Sequence, residues 1–166
     1  YAIDKLMGEQ YVDYYCRRSQ LSGSTFRFFN VYGPRQDPKS PYSGVISIFA
    51  DRLRTGRAIT IFGDGTQTRD FVYVKDVAAI LAASLALPVT SLMRPINVGR
   101  GKSVSIIELL QLIQQITGNY QQPCFSPQRE GDIRHSLAST DLLHACFPRL
   151  TQTELVEGLR ETLEHS

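Results

Sequence analysis

Short runs of β-branched and aromatic residues alternate along this chain with longer stretches of helical periodicity, and no other feature narrows the fold as far. Thr25–Val31 (T-F-R-F-F-N-V), Ala58–Phe62, Asp70–Val74 and Pro95–Val98 read as strands. The first is apolar enough for burial in a sheet and is closed by Gly33-Pro34. Residues 1 to about 19 carry Leu6, Met7, Val12, Tyr15 and Cys16 near helical spacing. Val45–Arg54 is a second helical segment, with Gly56 placed to cap its C-terminus. Asp76 reads as the N-cap of an Ala/Leu-rich helix ending near Pro88. Ser105 to Glu108 spells a capping box for a helix running to Gly118. Two helices close the chain, and Thr151 to Glu154 spells a capping box for the second. Residues 35–43, with Pro38 and Pro41, read as a loop, and 119–136 as an irregular segment. Strands alternating with helices predict an α/β fold.

The 166 residues amount to one domain or a large piece of one. With 18 basic and 16 acidic residues the net charge is +2, which argues against a general nucleic-acid or membrane-surface binder but allows a local anion site. No apolar run has the length of a membrane span, and no signal-peptide pattern is visible. Cys16, Cys124 and Cys146 lack metal-ligand or redox-motif spacing and read as free, buried thiols in a reducing, cytoplasmic compartment. His135, His144 and His165 show no ligand spacing either, so no metal is expected.

Three segments carry polar residues suited to chemistry. Tyr1 and Lys5 stand four apart, so a helix puts phenol and ammonium on one face. A cation beside a phenol favours its ionised form, the requirement for an acid/base tyrosine; the same spacing also describes ordinary helix surface. Asn30 lies near the end of an otherwise apolar strand, where ligands collect in open α/β sheets, or where a side chain satisfies a turn. The run Gly63-Asp64-Gly65 to Arg69 could expose backbone N–H groups and a guanidinium fork to phosphate, or be a turn with a solvated arginine. Arg129 and Arg134 add fork donors, and Asp132 an acceptor suited to ribose hydroxyls.

Taken in order, Y-x-x-x-K, R-F-F-N-V-Y-G-P-R-Q, I-F-G-D-G-T-Q-T-R-D-F-V-Y-V-x-D-V-A, I-N-V-G and P-x-R-E-G-D-I-R-H-S span nearly the whole chain. That succession resembles the extended short-chain dehydrogenase/reductases, the NAD-dependent nucleotide-sugar epimerases and dehydratases, and most closely their UDP-glucose and UDP-N-acetylglucosamine 4-epimerases. The order is far more specific than any single motif. The resemblance is to the C-terminal half. It implies the C-terminal part of a Rossmann-type epimerase: the last sheet strands plus a substrate-binding subdomain, without the dinucleotide-binding half and its glycine-rich loop. Residues 1–34 would be the catalytic helix and following strand. Residues 35–74 and 119–166 would form mainly the substrate subdomain, and 75–118 a helix, the last sheet strand and another helix.

Carried onto this sequence, the resemblance makes Tyr1 the general acid/base, assisted by Lys5, which also binds the nicotinamide ribose. Phe29 would lie along the nicotinamide. Asn30, Arg69 and Arg129 would hold the diphosphate, and Asp132 the uridine ribose. Thr60 and Phe62 would lodge uracil, Val45 would belong to the loop region covering the nucleotide, and Ser136 would set the room for the sugar's C2 substituent. The reaction implied is epimerisation at C4 of a UDP-hexose through a 4-keto sugar, with NAD as cofactor and a UDP-sugar and a second subunit as partners. The binding energy of the nucleotide would tether a sugar that must turn over within the site. A 4,6-dehydratase, decarboxylase or reductase of the same family, or a non-catalytic nucleotide-sugar-binding fragment, is the rival reading.

Overall fold

The computed structural model describes residues 1–19, 21–40, 43–86 and 94–164. Its organising strand is β4 (Thr68–Tyr73), counted after α1 (Ala2–Ser19), β1 (Phe26–Phe28), β2 (Asn30–Tyr32), α2 (Val45–Thr55) and β3 (Thr60–Phe62). Side chains alternate across a strand, and β4 uses both faces. Phe71 and Tyr73 enter a core with Tyr32, with Phe49 and Leu53 of α2, and with two later helices, α4 (Ile106–Thr117) and α6 (Leu155–Glu164). Val72 enters a second core with Val77 and Ile80 of α3 (Val74–Ser84), Ile96 and Val98 of β5 (Ile96–Val98), and Leu143 of α5 (Asp141–Cys146).

The predicted α/β class is what the structure has, with differences in detail. Thr25–Val31 is not one buried strand. It breaks at Phe29 into β1, which pairs in parallel with β5, and β2, which pairs in parallel with β4, Asn30 opposite Phe71. Phe28 is 48% exposed, and among the described strands β1 pairs with β5 alone. On its other edge β4 pairs antiparallel with β6 (Ser103–Ser105), a strand the sequence did not announce. Within the segment read as irregular, β7 (Cys124–Ser126) pairs in parallel with β3. The Asp70–Val74 run begins two residues earlier than predicted, and Val74 already belongs to α3.

Asp76 is not an N-cap. Tyr73 occupies that position, and the Asp76 carboxylate accepts from the Thr153 N–H at 2.9 Å and its hydroxyl at 2.8 Å. α3 is described to Ser84; Pro88 lies outside the described residues. The Ser105 capping box forms in full: the Ser105 hydroxyl accepts from the Glu108 N–H at 3.2 Å, and the Glu108 carboxylate accepts from the Ser105 N–H at 2.9 Å. Gly118 and Gly56 end α4 and α2 with φ of 67° and 65°, the left-handed conformation glycine adopts without strain. The second predicted box does not form. Glu154 precedes α6, its carbonyl accepts from the Gly158 N–H, and its carboxylate pairs with Arg100 and Lys102.

α1 forms as the periodicity predicts but buries none of its residues. A bidentate pair between Arg27 of β1 and Glu9 ties it to the sheet. The three cysteines are free; Cys124 is exposed and Cys16 and Cys146 half-buried, so the expected burial does not hold. Among the described residues no helix is long and apolar enough to cross a membrane.

Candidate functional site

A cleft of about 700 Å³ opens where α2, β3, the start of β4 and the 129–132 loop meet. Asn30, Val45, Thr60, Phe62, Arg69, Arg129 and Asp132 all line it. β3 explains two of these placements. Ile61 is buried in the core, so Thr60 and Phe62, one residue to either side, face outward to the cleft. Val45 opens α2 directly after Gly44, and Asn30 begins β2.

Arg69 and Asp132, 63 residues apart, form an ion pair at 2.5 Å, with both side chains partly shielded from water. Arg69 also donates to the Thr68 carbonyl at 2.8 Å, which fixes the fork. The Arg129 guanidinium sits over the Phe62 ring, 3.9 Å from its centroid, a cation–π contact worth about 0.5–2 kcal/mol. Cation and aromatic ring thus reach the cleft as one unit.

The Gly63–Gly65 turn does not present the open phosphate cradle that its composition allowed. Gly63 and Gly65 have φ of 80° and 79°, but the Gly63 N–H donates to the Ser126 carbonyl and the Thr66 N–H to Asp64. The Thr66 hydroxyl at 2.7 Å, its N–H at 2.9 Å, and then Arg134 hold the Asp64 carboxyl down at about 2. A carboxylate folded into the turn repels a phosphate there.

The 129–136 segment is laced onto β4. The Thr68 N–H donates to the Arg134 carbonyl and the Ser136 N–H to the Thr68 carbonyl, while the Thr68 hydroxyl meets His135 Nδ1 at 3.1 Å. Ser136 therefore sits beside Thr68 and is not among the residues lining the cleft. Tyr1, Lys5 and Phe29 do not line it either. On α1 the Lys5 ammonium stands 5.4 Å from the Tyr1 ring centroid, and Tyr1 is 84% exposed. Phe29 is half-buried at the break between β1 and β2, its N–H donating to the Val98 carbonyl. Tyr1 and Lys5 are in contact on α1, while Phe29 lies on a separate segment, between β1 and β2. Neither glycine pair, Gly63/Gly65 or Gly99/Gly101, continues into the Gly-x-Gly-x-x-Gly that would hold a dinucleotide's diphosphate.

Sequence reasoning missed Arg52 and Gln67. Arg52 lines the cleft from α2, and Gln67, almost fully buried, donates to the Phe62 carbonyl at 2.6 Å and props β3 against β4. Arg52 falls at i+7 from Val45, with Ile48 and Phe49 between, a single helical face that was legible in the spacing.

Helices layered on parallel strands, with a cationic and aromatic cleft beside them, define an α/β protein of the Rossmann-type epimerase fold. Residues 1–99 match the NAD dependent epimerase/dehydratase family, and the chain belongs to it. It is 41% identical over 133 residues, 80% of its length, to the putative UDP-glucose 4-epimerase of Methanocaldococcus jannaschii. It is 38% identical over 164 residues, 99% of its length, to the UDP-glucose 4-epimerase of Mycolicibacterium smegmatis. The crystal structure of UDP-glucose 4-epimerase from Thermotoga maritima with UDP-glucose superposes on 99% of the chain with a TM-score of 0.92 at 34% identity. These matches take in 42%, 51% and 52% of the respective relatives, so the chain spans about half their length.

Proposed function

We propose that this chain is the substrate-binding half of an NAD-dependent epimerase that inverts C4 of a UDP-hexose. The observation that carries the reading is the meeting of Asn30, Val45, Thr60, Phe62, Arg69, Arg129 and Asp132 in one cleft, drawn from five separate stretches of sequence. That set suits a nucleoside diphosphate. Arg69 and Arg129 offer charge-assisted donors to the diphosphate, Asn30 a neutral one. Asp132 gives one oxygen to Arg69 and keeps the other for a ribose hydroxyl. Thr60 and Phe62 offer a polar group and a ring to the base. Similarity to two proteins named as UDP-glucose 4-epimerases supports uracil and a hexose.

With the nucleotide anchored, the sugar is held by its diphosphate and stays free to turn. Tyr1 takes the proton of the 4-hydroxyl and returns it after the turn, with Lys5 one helical turn away on the same face. When bound, NAD supplies the hydride acceptor and donor for C4. A 4-keto sugar lies between the two epimers.

The test is Tyr1→Phe in the full-length protein, assayed with UDP-glucose and NAD. Loss of a positioned acid/base should slow epimerisation by about a hundredfold or more. UDP affinity should stay within about twofold, since Tyr1 is not part of the cleft. Unchanged turnover overturns the role given to Tyr1, and a 4-keto-6-deoxy product overturns the epimerase.

A further inference from the structure

α2 presents four residues to the cleft, Val45, Ile48, Phe49 and Arg52. Seven residues at helical rise put Arg52 about 10 Å along the axis from Val45. Arg52 donates to the Ala58 carbonyl at 3.3 Å, which holds it against the chain just before β3, beside Thr60. Along β3 the order is therefore Arg52, Thr60, then Phe62 with Arg129 over its ring. The other two cleft arginines are engaged, Arg69 with Asp132 and Arg129 with Phe62. Arg52 has no carboxylate within ion-pair distance among the described residues. One of its five N–H donors goes to Ala58, which leaves the fork available at the end of the cleft away from Arg129.

We propose that Arg52 reads the nucleobase and sets its identity. The inference rests on the nucleotide placement argued above, with the base along Thr60 and Phe62 and the diphosphate toward Arg69 and Arg129. A pyrimidine so placed turns its outer edge to Arg52. Uracil carries an exocyclic carbonyl there, which accepts from the guanidinium. Cytosine carries an amino group, which sets donor against donor and leaves both unsatisfied in a partly enclosed site. Arg52 is thus a specificity residue that discriminates uridine from cytidine nucleotides.

The test is calorimetric titration of the full-length protein with UDP, CDP and inorganic pyrophosphate, comparing wild type with Arg52→Met and Arg52→Lys. Wild type should prefer UDP to CDP by about tenfold or more. Arg52→Met should weaken UDP by about tenfold and leave CDP and pyrophosphate within about twofold, so the preference collapses. Arg52→Lys retains the stem and a single point donor, and should fall between. It decides the matter if the methionine variant fails to fold. An equal loss for all three ligands overturns the inference, because the arginine then serves the diphosphate. An unchanged UDP/CDP ratio with UDP still bound overturns it alone, whereas no UDP binding by wild type overturns the nucleotide reading as well.

Discussion

Gly158 shows how little freedom single residues have around the central strand. It faces β2 and β4 from α6, and a Cβ there would lie 2.3 Å from the Tyr32 hydroxyl and 3.1 Å from a Tyr73 ring carbon. Alanine gains about 1 kcal/mol in a helix interior, while overpacking a well-filled core costs about 1–3 kcal/mol. Tyr32 is 2% exposed, edge-on to Phe71 and against Tyr73, so it has nowhere to go and the clash wins. Gly158→Ala should lower stability by about 1–2 kcal/mol in thermal or denaturant unfolding. Adding Tyr32→Phe, which removes the clashing oxygen, should recover part of that loss as a non-additive coupling. Full additivity would show that the hydroxyl is not the obstacle. None of this was visible in the sequence, where Gly158 is only a weak spot in a helix. Asp70 is a similar case. Read as the first residue of a strand, it is a fully buried carboxylate accepting from the N–H groups of Arg100, Gly101 and Ala138, 30, 31 and 68 residues away. A partner that distant leaves no local trace.

At the scale of elements, legibility follows the range of the interaction. The Ser105–Glu108 box and the glycine ends of α2 and α4 were readable because every atom involved lies within a few residues. Asp76 and Thr151–Glu154 carry equally good local signatures, and tertiary partners outcompete both: Thr153 takes Asp76, and Arg100 with Lys102 takes Glu154. β7 is three residues long and exists through its pairing with β3, so its composition alone could not identify it. The β3–β4 turn carries a pH prediction. Asp64 titrates near 2 instead of its ordinary 3.8, chiefly through the Thr66 hydroxyl, then the Thr66 N–H, with Arg134 adding less. A lowered carboxyl stabilises the turn fully above about pH 4 and loses that contribution as pH falls from 3.8 towards 2. In Thr66→Val the Asp64 midpoint, followed by carboxyl NMR, should move up towards 3.8, and further than in Arg134→Ala. A larger shift in Arg134→Ala would make the turn an ion-pair device instead.

At the scale of the whole molecule, the alternation of strands and helices disclosed the class, and the order of motifs disclosed the family; spacing alone did neither for the site. Tyr1–Lys5 and Gly63–Arg69 were each compatible with plain surface, and the glycine turn is indeed no phosphate cradle. The described residues also leave a lopsided molecule. α4 buries Leu109, Leu110 and Ile113 in the larger core, whereas α1 buries nothing and exposes Tyr1, Ile3, Leu6, Met7, Tyr11, Val12, Tyr14 and Tyr15. Most helical stability in proteins comes from packing a buried face, which α1 lacks, and the Arg27–Glu9 pair, with Arg27 exposed, is worth about 1 kcal/mol at most. Opening α1 in the 166-residue chain therefore costs little, while opening α4 disrupts the core. Native-state hydrogen exchange on this chain should find the α1 amides exchanging at least about a hundredfold faster than those of α4. Arg27→Ala should speed α1 further and leave α4 unchanged. In a full-length protein whose other half packs on α1, the same amides should become protected, because opening them would then expose that apolar face. Equal protection of α1 and α4 in the 166-residue chain would mean that α1 is covered already, by self-association that dilution would reverse.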